Sequence, residues 1–329
     1  MIIIFIRGDK VNFHSFFLCL ARQCTEVLEG IGGGDILEFG AGSGTMAAEV
    51  LAELERLESL PEHYFILELS ADLRQRQQLA IEQKVPQLAA RVVWLDALPA
   101  GGFRGVVLAN EVLDAMPVHR FVVLNGEPHE LCVVWDGKGF ALEEGAADAA
   151  LYERLKHLQA EYALHDGYSS EINLRAEEWV RSLGDFLQQG VALLIDYGFP
   201  QREFYHPQRN RGTLMCHYRH RAHDDALILV GLQDITAHVD FTAVAETALQ
   251  SGLSVRGYTS QANFLVATGL TELLAQAGGD VKTQLSLAAQ VKRLTMPGEM
   301  GELFKVMALT RGWDDGLQGF ALRDERGRL

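Results

Sequence analysis

The sequence predicts an α/β protein with a doubly wound, mainly parallel sheet of seven strands, and three observations predict it. Short continuous apolar runs recur along the chain: ILEF at 36–39, HYFILEL at 63–69, RVVWL at 91–95, GVVLAN at 105–110, VALLIDYG at 191–198, LSVRGYT at 253–259 and LFKVMALTR at 303–311. Runs of that kind are expected of strands buried on both faces of a parallel sheet. Stretches with helical spacing separate them, so strands and helices alternate. Finally, the first run enters Gly40-x-Gly42-x-Gly44 directly ahead of a helical pattern, TMAAEVLAELERL. That strand–turn–helix opens a sheet built to hold a nucleoside-type ligand at its strand ends.

Each element has its own signals. Phe16 to Leu28 carries apolar residues at helical spacing and stops in the glycine-rich linker Gly30–Gly34. The helix after the turn runs to about Leu57, Pro61 precedes strand two, and Ser70 is placed to cap a helix over 71–83. After Pro117 the pattern alternates, with turn signals at Asn125-Gly126 and Asp136-Gly137, which predicts antiparallel hairpins. An Ala/Glu-rich helical stretch follows. A further helix is expected from Asn173 to Gln189, with Trp179, Leu183, Phe186 and Leu187 on one face and Gly190 as its stop. The polar segment Pro200–Asp225 leads to a helix at 241–252, and helical segments at 261–276 and 280–294 separate the last two strands. Residues 1–329 thus read as one domain. Its core spans about 19–117 and 190–311, an inserted α+β segment occupies about 118–170, and a tail covers 312–329. The opening MIIIFI reads as a buried strand or the stump of a missing element, too short for a signal sequence.

Composition narrows the function. At 329 residues the chain can bury a large core, and 48% hydrophobic with 22% charged residues is ordinary for a soluble globular protein. A net charge of −15 argues against nucleic acid as the main partner, because phosphate binding needs clustered Lys and Arg. The same charge favours a basic substrate through long-range attraction. Cys19, Cys24, Cys132 and Cys216 form no C-x-x-C pair, so the expectation is reduced thiols in a cytoplasmic protein, with no disulfide frame and no zinc. His217, His220 and His223 do not share one helical face, so no metal site is expected. No apolar run is long enough to span a bilayer.

Spacing selects the cofactor. A dinucleotide fingerprint wants a small residue where this chain has Thr45, and the third glycine comes one residue early. An acid two before the first glycine, Glu38, followed by G-x-G-x-G looks instead like the first motif of class I S-adenosylmethionine (SAM) methyltransferases. A carboxylate there suits a cationic ligand end and would repel a pyrophosphate. Ligands of open sheets lie beyond the carboxyl ends of the strands, which singles out Glu38–Gly44, Glu68, Asp96, Asn110–Glu111 and Asp196–Tyr197. Glu68 falls at the spacing of an acid that takes ribose hydroxyls, and Asp96 would sit near the adenine. Asn110, Glu111 and Asp114 place an amide and two carboxyls after strand four, where the methyl group should point. Carboxylates there can pair with the planar fork of a guanidinium and orient one nitrogen. Tyr197, Asp234 and His238 are assigned to substrate contact.

Taken together, LEFGAGSG, YFILELS, ANEVLDAMPVHRF, EIN at 171–173, LLIDYG, RGTLMCHYRH and QDITAHVDFT closely resemble the MidA family from about residue 19 onward. The resemblance implies a SAM-dependent methyltransferase acting on a protein arginine, giving symmetric dimethylarginine. Mitochondrial members of that family assist assembly of respiratory complex I, which makes a complex I subunit the implied partner; a homodimer is left open. By the same resemblance Gly40, Gly42, Gly44 and Glu68 would hold SAM, and Asn110, Glu111 and Asp114 would border the methyl group. The alternative is a non-catalytic assembly factor that keeps the fold and binds a partner chain. The resemblance departs at the front. Family members carry a stretch like GDFxTxPExS before the first helix, whereas Gly8-Asp9-Lys10-Val11-Asn12-Phe13-His14-Ser15 keeps only Gly-Asp. A truncated or rearranged start, with weaker cover over the cofactor, is the expectation.

Overall fold

The computed structural model describes residues 13–99, 101–219, 221–276 and 280–329. The expectations for Met1–Ile6 and for Gly8–Asn12 lie outside them, as does His220. The chain begins with α1 (His14–Ile31), β1 (Asp35–Phe39), α2 (Thr45–Arg56), β2 (Tyr64–Leu67), α3 (Ala71–Lys84), β3 (Val92–Leu95) and β4 (Phe103–Asn110). Next come β5 (His119–Leu124), β6 (Glu127–Trp135), β7 (Phe140–Gly145), α4 (Ala149–Tyr162), β8 (Ser169–Ile172), α5 (Leu174–Phe186) and β9 (Leu187–Phe199). Then follow α6 (Gln201–Phe204), β10 (Met215–Tyr218), β11 (Arg221–His223), β12 (Asp234–Thr236), β13 (Val239–Asp240), α7 (Phe241–Gln250) and β14 (Ser254–Ser260). The chain closes with α8 (Gln261–Ala267), α9 (Leu270–Gln276), α10 (Val281–Thr295), α11 (Met300–Leu303) and β15 (Phe304–Arg311).

The central sheet has the order β14-β15-β9-β4-β1-β2-β3, with β13 paired to the end of β9. β3, β2, β1, β4 and β9 run parallel, while β15 is antiparallel to both β9 and β14. Alternation along the strands sorts the core into two layers. Ile36, Val106, Leu108 and Ile195 pack with α1, α2 and α8 on one face, and Leu37, Val107, Ala109 and Leu194 pack with α5 and α7 on the other. The segment after β4 forms its own antiparallel sheet, β7-β6-β5-β8, over a third cluster with Leu151, Leu155 and Leu158 of α4. No helix of the described residues is long and apolar enough to cross a membrane.

One expectation about the elements is corrected. Gly190 does not stop a helix: α5 ends at Phe186, and Leu187 to Gly190 already belong to β9. Gly190 has φ 136°, and a Cβ there would come within 1.8 Å of the Gly105 carbonyl oxygen on the neighbouring strand. The glycine serves a close approach of two strands, and the helical pattern of 179–187 ran on past the true boundary because both elements bury apolar residues.

Candidate active site

β1 and β4 end side by side, with β2 beyond β1 and β9 beyond β4. The order in which successive strands join the sheet reverses there, from β1-β2-β3 on one side to β4-β9 on the other, so the crevice above these ends is the topological switch point where open α/β sheets take their ligands. β1 delivers Gly40, Gly42 and Gly44 to it, all at positive φ (63°, 51° and 79°). Gly44 is required by packing, since a Cβ would sit 2.7 Å from Gln77 Cα on α3. At Gly42 a Cβ would meet nothing within 4 Å, so its open side faces free space. α2 starts without a side-chain cap, which leaves its first N–H groups available to an acceptor.

Glu38 is buried. Its Oε2 accepts from the Tyr64 hydroxyl at 2.7 Å, while Oε1 has no partner among the described residues. Burial pushes its carboxyl up to about 7, against the Tyr64 hydrogen bond and with a further push from Glu68. Glu68 closes β2 with both oxygens bonded: Oε1 accepts from Ser70 N at 2.9 Å and Oε2 from Gln77 Nε2 at 3.2 Å. Gln77 also donates to Gly42 O (3.1 Å) and accepts from Trp94 Nε1 (2.9 Å), so it ties the glycine turn, the acid of β2 and β3 together. Sequence reading missed Gln77. The available signal was its place on the buried Leu73–Gln77–Ile81 stripe, a polar residue at apolar spacing. Asp96 lies at the rim, its side chain 89% exposed and paired with Arg74 at 2.7 Å.

On the other side of the crevice, β4 ends at Asn110. Glu111 then takes φ 51°, a left-handed conformation uncommon outside glycine, and its N–H donates to Ile195 O at 2.9 Å. Val112 follows, with Cγ2 3.6 Å from where a Gly40 Cβ would project, so the two strand-end loops adjoin. Asn110 Nδ2 donates to Glu111 Oε1 at 3.4 Å. Burial, then the nearby Asp114, pushes the Glu111 carboxyl up to about 7. Asp114 is fully buried: Oδ2 accepts a short hydrogen bond from the Tyr197 hydroxyl, and Oδ1 has no partner among the described residues. Burial raises its carboxyl to about 6 despite the tyrosine.

A third carboxyl completes the group. Asp196 Oδ2 accepts from Leu113 N (3.0 Å) and Asp114 N (3.2 Å), and Oδ1 accepts from Tyr197 N (3.0 Å). Its pKa is raised by burial and by Asp114 and Glu111. Its strand-end position marked it in the sequence, but only the fold shows that it fixes the backbone beneath Asp114. The Tyr197 ring meets His238 edge-on at 5.1 Å and Phe304 at 5.3 Å. Burial, with Arg209 adding to it, pushes His238 down to about 4, so its ring is neutral at pH 7. Tyr197 and His238 therefore join the cluster, while Asp234 sits four residues away on β12, opposite His217.

The EIN motif is the brace of this side. Glu171 accepts from Thr213 N at 2.7 Å and Leu214 N at 2.6 Å, and Thr213 Oγ1 in turn accepts from His238 N at 3.0 Å. Asn173 caps α5 through Ala176 N (2.9 Å) and donates to Leu113 O at 3.0 Å. Their local pattern did not announce this, because the Glu171 bonds to Thr213 and Leu214 and the Asn173 bond to Leu113 each span at least 42 residues. The one group with metal-ligand spacing among the described residues, Asp35, Glu62 and His63, lies at the opposite end of β1.

A sheet of this order, with a glycine turn and an acid-ended second strand at its switch point, defines a Rossmann-like methyltransferase. The chain belongs to the family described as "Putative S-adenosyl-L-methionine-dependent methyltransferase", whose model matches residues 19–259. It is similar to a crystal structure described as a "likely methyl transferase from Burkholderia thailandensis bound to S-adenosyl-homocysteine", at 43% identity and TM-score 0.92 over 96% of this chain and 81% of that one. A native crystal structure of an uncharacterized protein of the same superfamily and organism gives 43% identity and TM-score 0.92, covering 98% and 87%. Among curated proteins it is similar to the mitochondrial protein arginine methyltransferase NDUFAF7 homologues of Drosophila melanogaster (27% identity, 84% of this chain, 67% of that protein) and Caenorhabditis elegans (25%, 84% and 68%).

Proposed function

We propose that this chain transfers a methyl group from SAM to a guanidinium nitrogen of an arginine in a protein substrate, with symmetric dimethylarginine as product and a respiratory complex I subunit as the substrate class. The observation that carries this reading is the pair Glu111 and Asp114. Two carboxyls with pKa values near neutrality, one of them with an oxygen that has no partner among the described residues, flank the loop whose Val112 adjoins Gly40 of the glycine turn. A guanidinium supplies the missing donors in a planar fork, and its charge would draw both groups back to the carboxylate form. Two curated relatives named as protein arginine methyltransferases support the same substrate class.

The cofactor side fits SAM by its donor set. Open space before Gly42, uncapped N–H groups on α2, a buried Glu38 oxygen without a partner among the described residues and the acid of β2 together suit a nucleoside with a cationic end. In this reading Gly40, Gly42 and Gly44 admit the cofactor to the backbone, Glu38 faces its charged end, Glu68 takes the ribose hydroxyls, and Asp96 stands nearest the adenine. SAM, when bound, supplies an electrophilic methyl on a positively charged sulfur. Glu111 and Asp114 hold the guanidinium, align one nitrogen and accept the proton it gives up, for which values of about 7 and 6 are suited. Asn110 steadies Glu111, and Tyr197 with His238 walls the arginine side chain; Asp234 contacts the substrate farther out.

The test uses methyl-labelled SAM with arginine-containing and lysine-containing basic proteins. Acid hydrolysis should release labelled dimethylarginine and no methyl-lysine, and Glu111→Gln should abolish the label while calorimetry still shows SAM binding. Label on another residue would overturn the arginine reading. A partner chain captured with no label at all would favour the non-catalytic assembly factor.

A further inference from the structure

The geometry points to β7 as a docking edge that takes an extended, basic segment of the protein substrate as an added strand. The inference rests on the arginine-substrate reading. β7 pairs with β6 on one side, and among the described residues no strand pairs with its other side. Exposed edges are normally blunted by charged residues, Lys above all, or by Pro; β7, Phe-Ala-Leu-Glu-Glu-Gly, has no Lys or Pro, and its only charges are the acids Glu143 and Glu144, which repel another acidic edge but not a basic strand.

Beside that edge lies an apolar platform. The register sets Val133 opposite Leu142 and Trp135 opposite Phe140, which places all four on one face. They are 59%, 38%, 64% and 47% exposed, and the Trp135 and Phe140 rings meet edge-on at 5.5 Å. A contiguous exposed patch anchored by Trp and Phe is the kind that receives partners.

Charge selects the occupant. From residue 139 to 153 the chain has no Lys or Arg, but it has Glu143, Glu144, Asp148 and Glu153. A second copy pairing through β7 would bring Glu143 and Glu144 of both chains close across the new ladder, which is unfavourable. A basic strand meets the opposite sign. Placement agrees: β5 begins two residues after Pro117, β7 is two strands from β5, and a strand added outside β7 would lie about 14 Å from β5 at the usual spacing of strands, within reach of a long arginine side chain and a few residues of extended chain. A segment held there can present a neighbouring arginine to Glu111 and Asp114.

Two octapeptides test this by calorimetry on the whole chain, one alternating Arg and Val and one alternating Glu and Val. The Arg–Val peptide should bind the wild type, and Glu143→Lys/Glu144→Lys should weaken it at least tenfold with SAM affinity unchanged. Trp135→Ser should do the same without altering charge, and both variants should raise KM for a protein substrate about tenfold at constant kcat. Equal binding of the Glu–Val peptide, or an affinity in either variant within twofold of wild type, would overturn the inference. So would a wild-type dimer that Trp135→Ser converts to monomer in sedimentation, since the face would then belong to a second copy. Peptide binding is read without turnover, so loss of the docking edge and loss of the arginine chemistry are separable results.

Discussion

The two sides of the crevice are built by different means. The cofactor side is local: one strand, one glycine turn and one helix in a row, joined to the acid of β2 by Gln77. The substrate side is assembled from five separate stretches, those holding Glu111–Asp114, Glu171–Asn173, Asp196–Tyr197, Thr213 and His238. Carboxyl environments differ as well. Glu68 has both oxygens bonded, whereas Glu111, Asp114 and Asp196 crowd together and are pushed toward protonation. The difference teaches that nucleoside binding is a property of backbone shape, while substrate chemistry depends on how the fold withholds solvent from acids.

The sharpest break is Asp114→Asn. It keeps the volume and an acceptor for Tyr197 but removes a charge, and methyl transfer should fall about 100-fold or more while SAM affinity, measured by calorimetry, stays within about twofold. Gly42→Ala makes the converse cut. A side chain at φ 51° costs about 1–2 kcal/mol and projects into the free space of the crevice, so SAM affinity should drop about tenfold or more. Asp114→Asn is read in turnover and Gly42→Ala in binding, and if both changed the same quantity the two sides would not be separable.

Acidity sharpens the comparison next. Guanidinium binding needs charged Glu111 and Asp114, so the pH–rate profile of the wild type should show kcat/KM falling about tenfold per unit between about 7 and 6 and up to about 100-fold per unit below that. Stability moves the other way. Glu111 in the folded free protein titrates at about 7 against 4.5 unfolded, so its protonated form is favoured by folding at low pH. That contribution is lost as pH rises from about 4.5 through 7. Melting of Glu111→Gln against wild type across that range should therefore show the variant gaining relative stability as pH increases. The smallest effect expected is that of Asn173→Ala, which removes the α5 cap and the hold on Leu113 O. Stability should fall by about 1–2 kcal/mol and kcat about fivefold, with SAM binding unchanged, checked by thermal melts and turnover on the same sample.

How much was legible follows the same divide. The glycine turn, the seven strands and the cap at Ser70 could be read because their signals lie within a few neighbouring residues, whereas Asn173 was read as the start of its helix and not as its cap. Glu111 and Asp114 were singled out as candidates by the rule that ligands gather at strand ends. The same rule marked Asp196, though not its hold on the Leu113 and Asp114 amides. Gly190 was misread because a glycine after an apolar helix looks the same whether it ends the helix or meets a neighbouring strand. The braces of Glu171 and the link through Gln77 were not legible, since hydrogen bonds across 42 or 35 residues leave no periodic trace.

By itself the sequence determined the order of strands and helices, the nucleoside turn and the acidic character of the candidate site, because apolar period, glycine spacing and residue charge are carried by neighbours along the chain. Tertiary structure alone decided which acids meet. Burial brings Glu111, Asp114 and Asp196 together under Tyr197, and their shared desolvation, which no single segment possesses, sets the protonation on which the proposed chemistry depends.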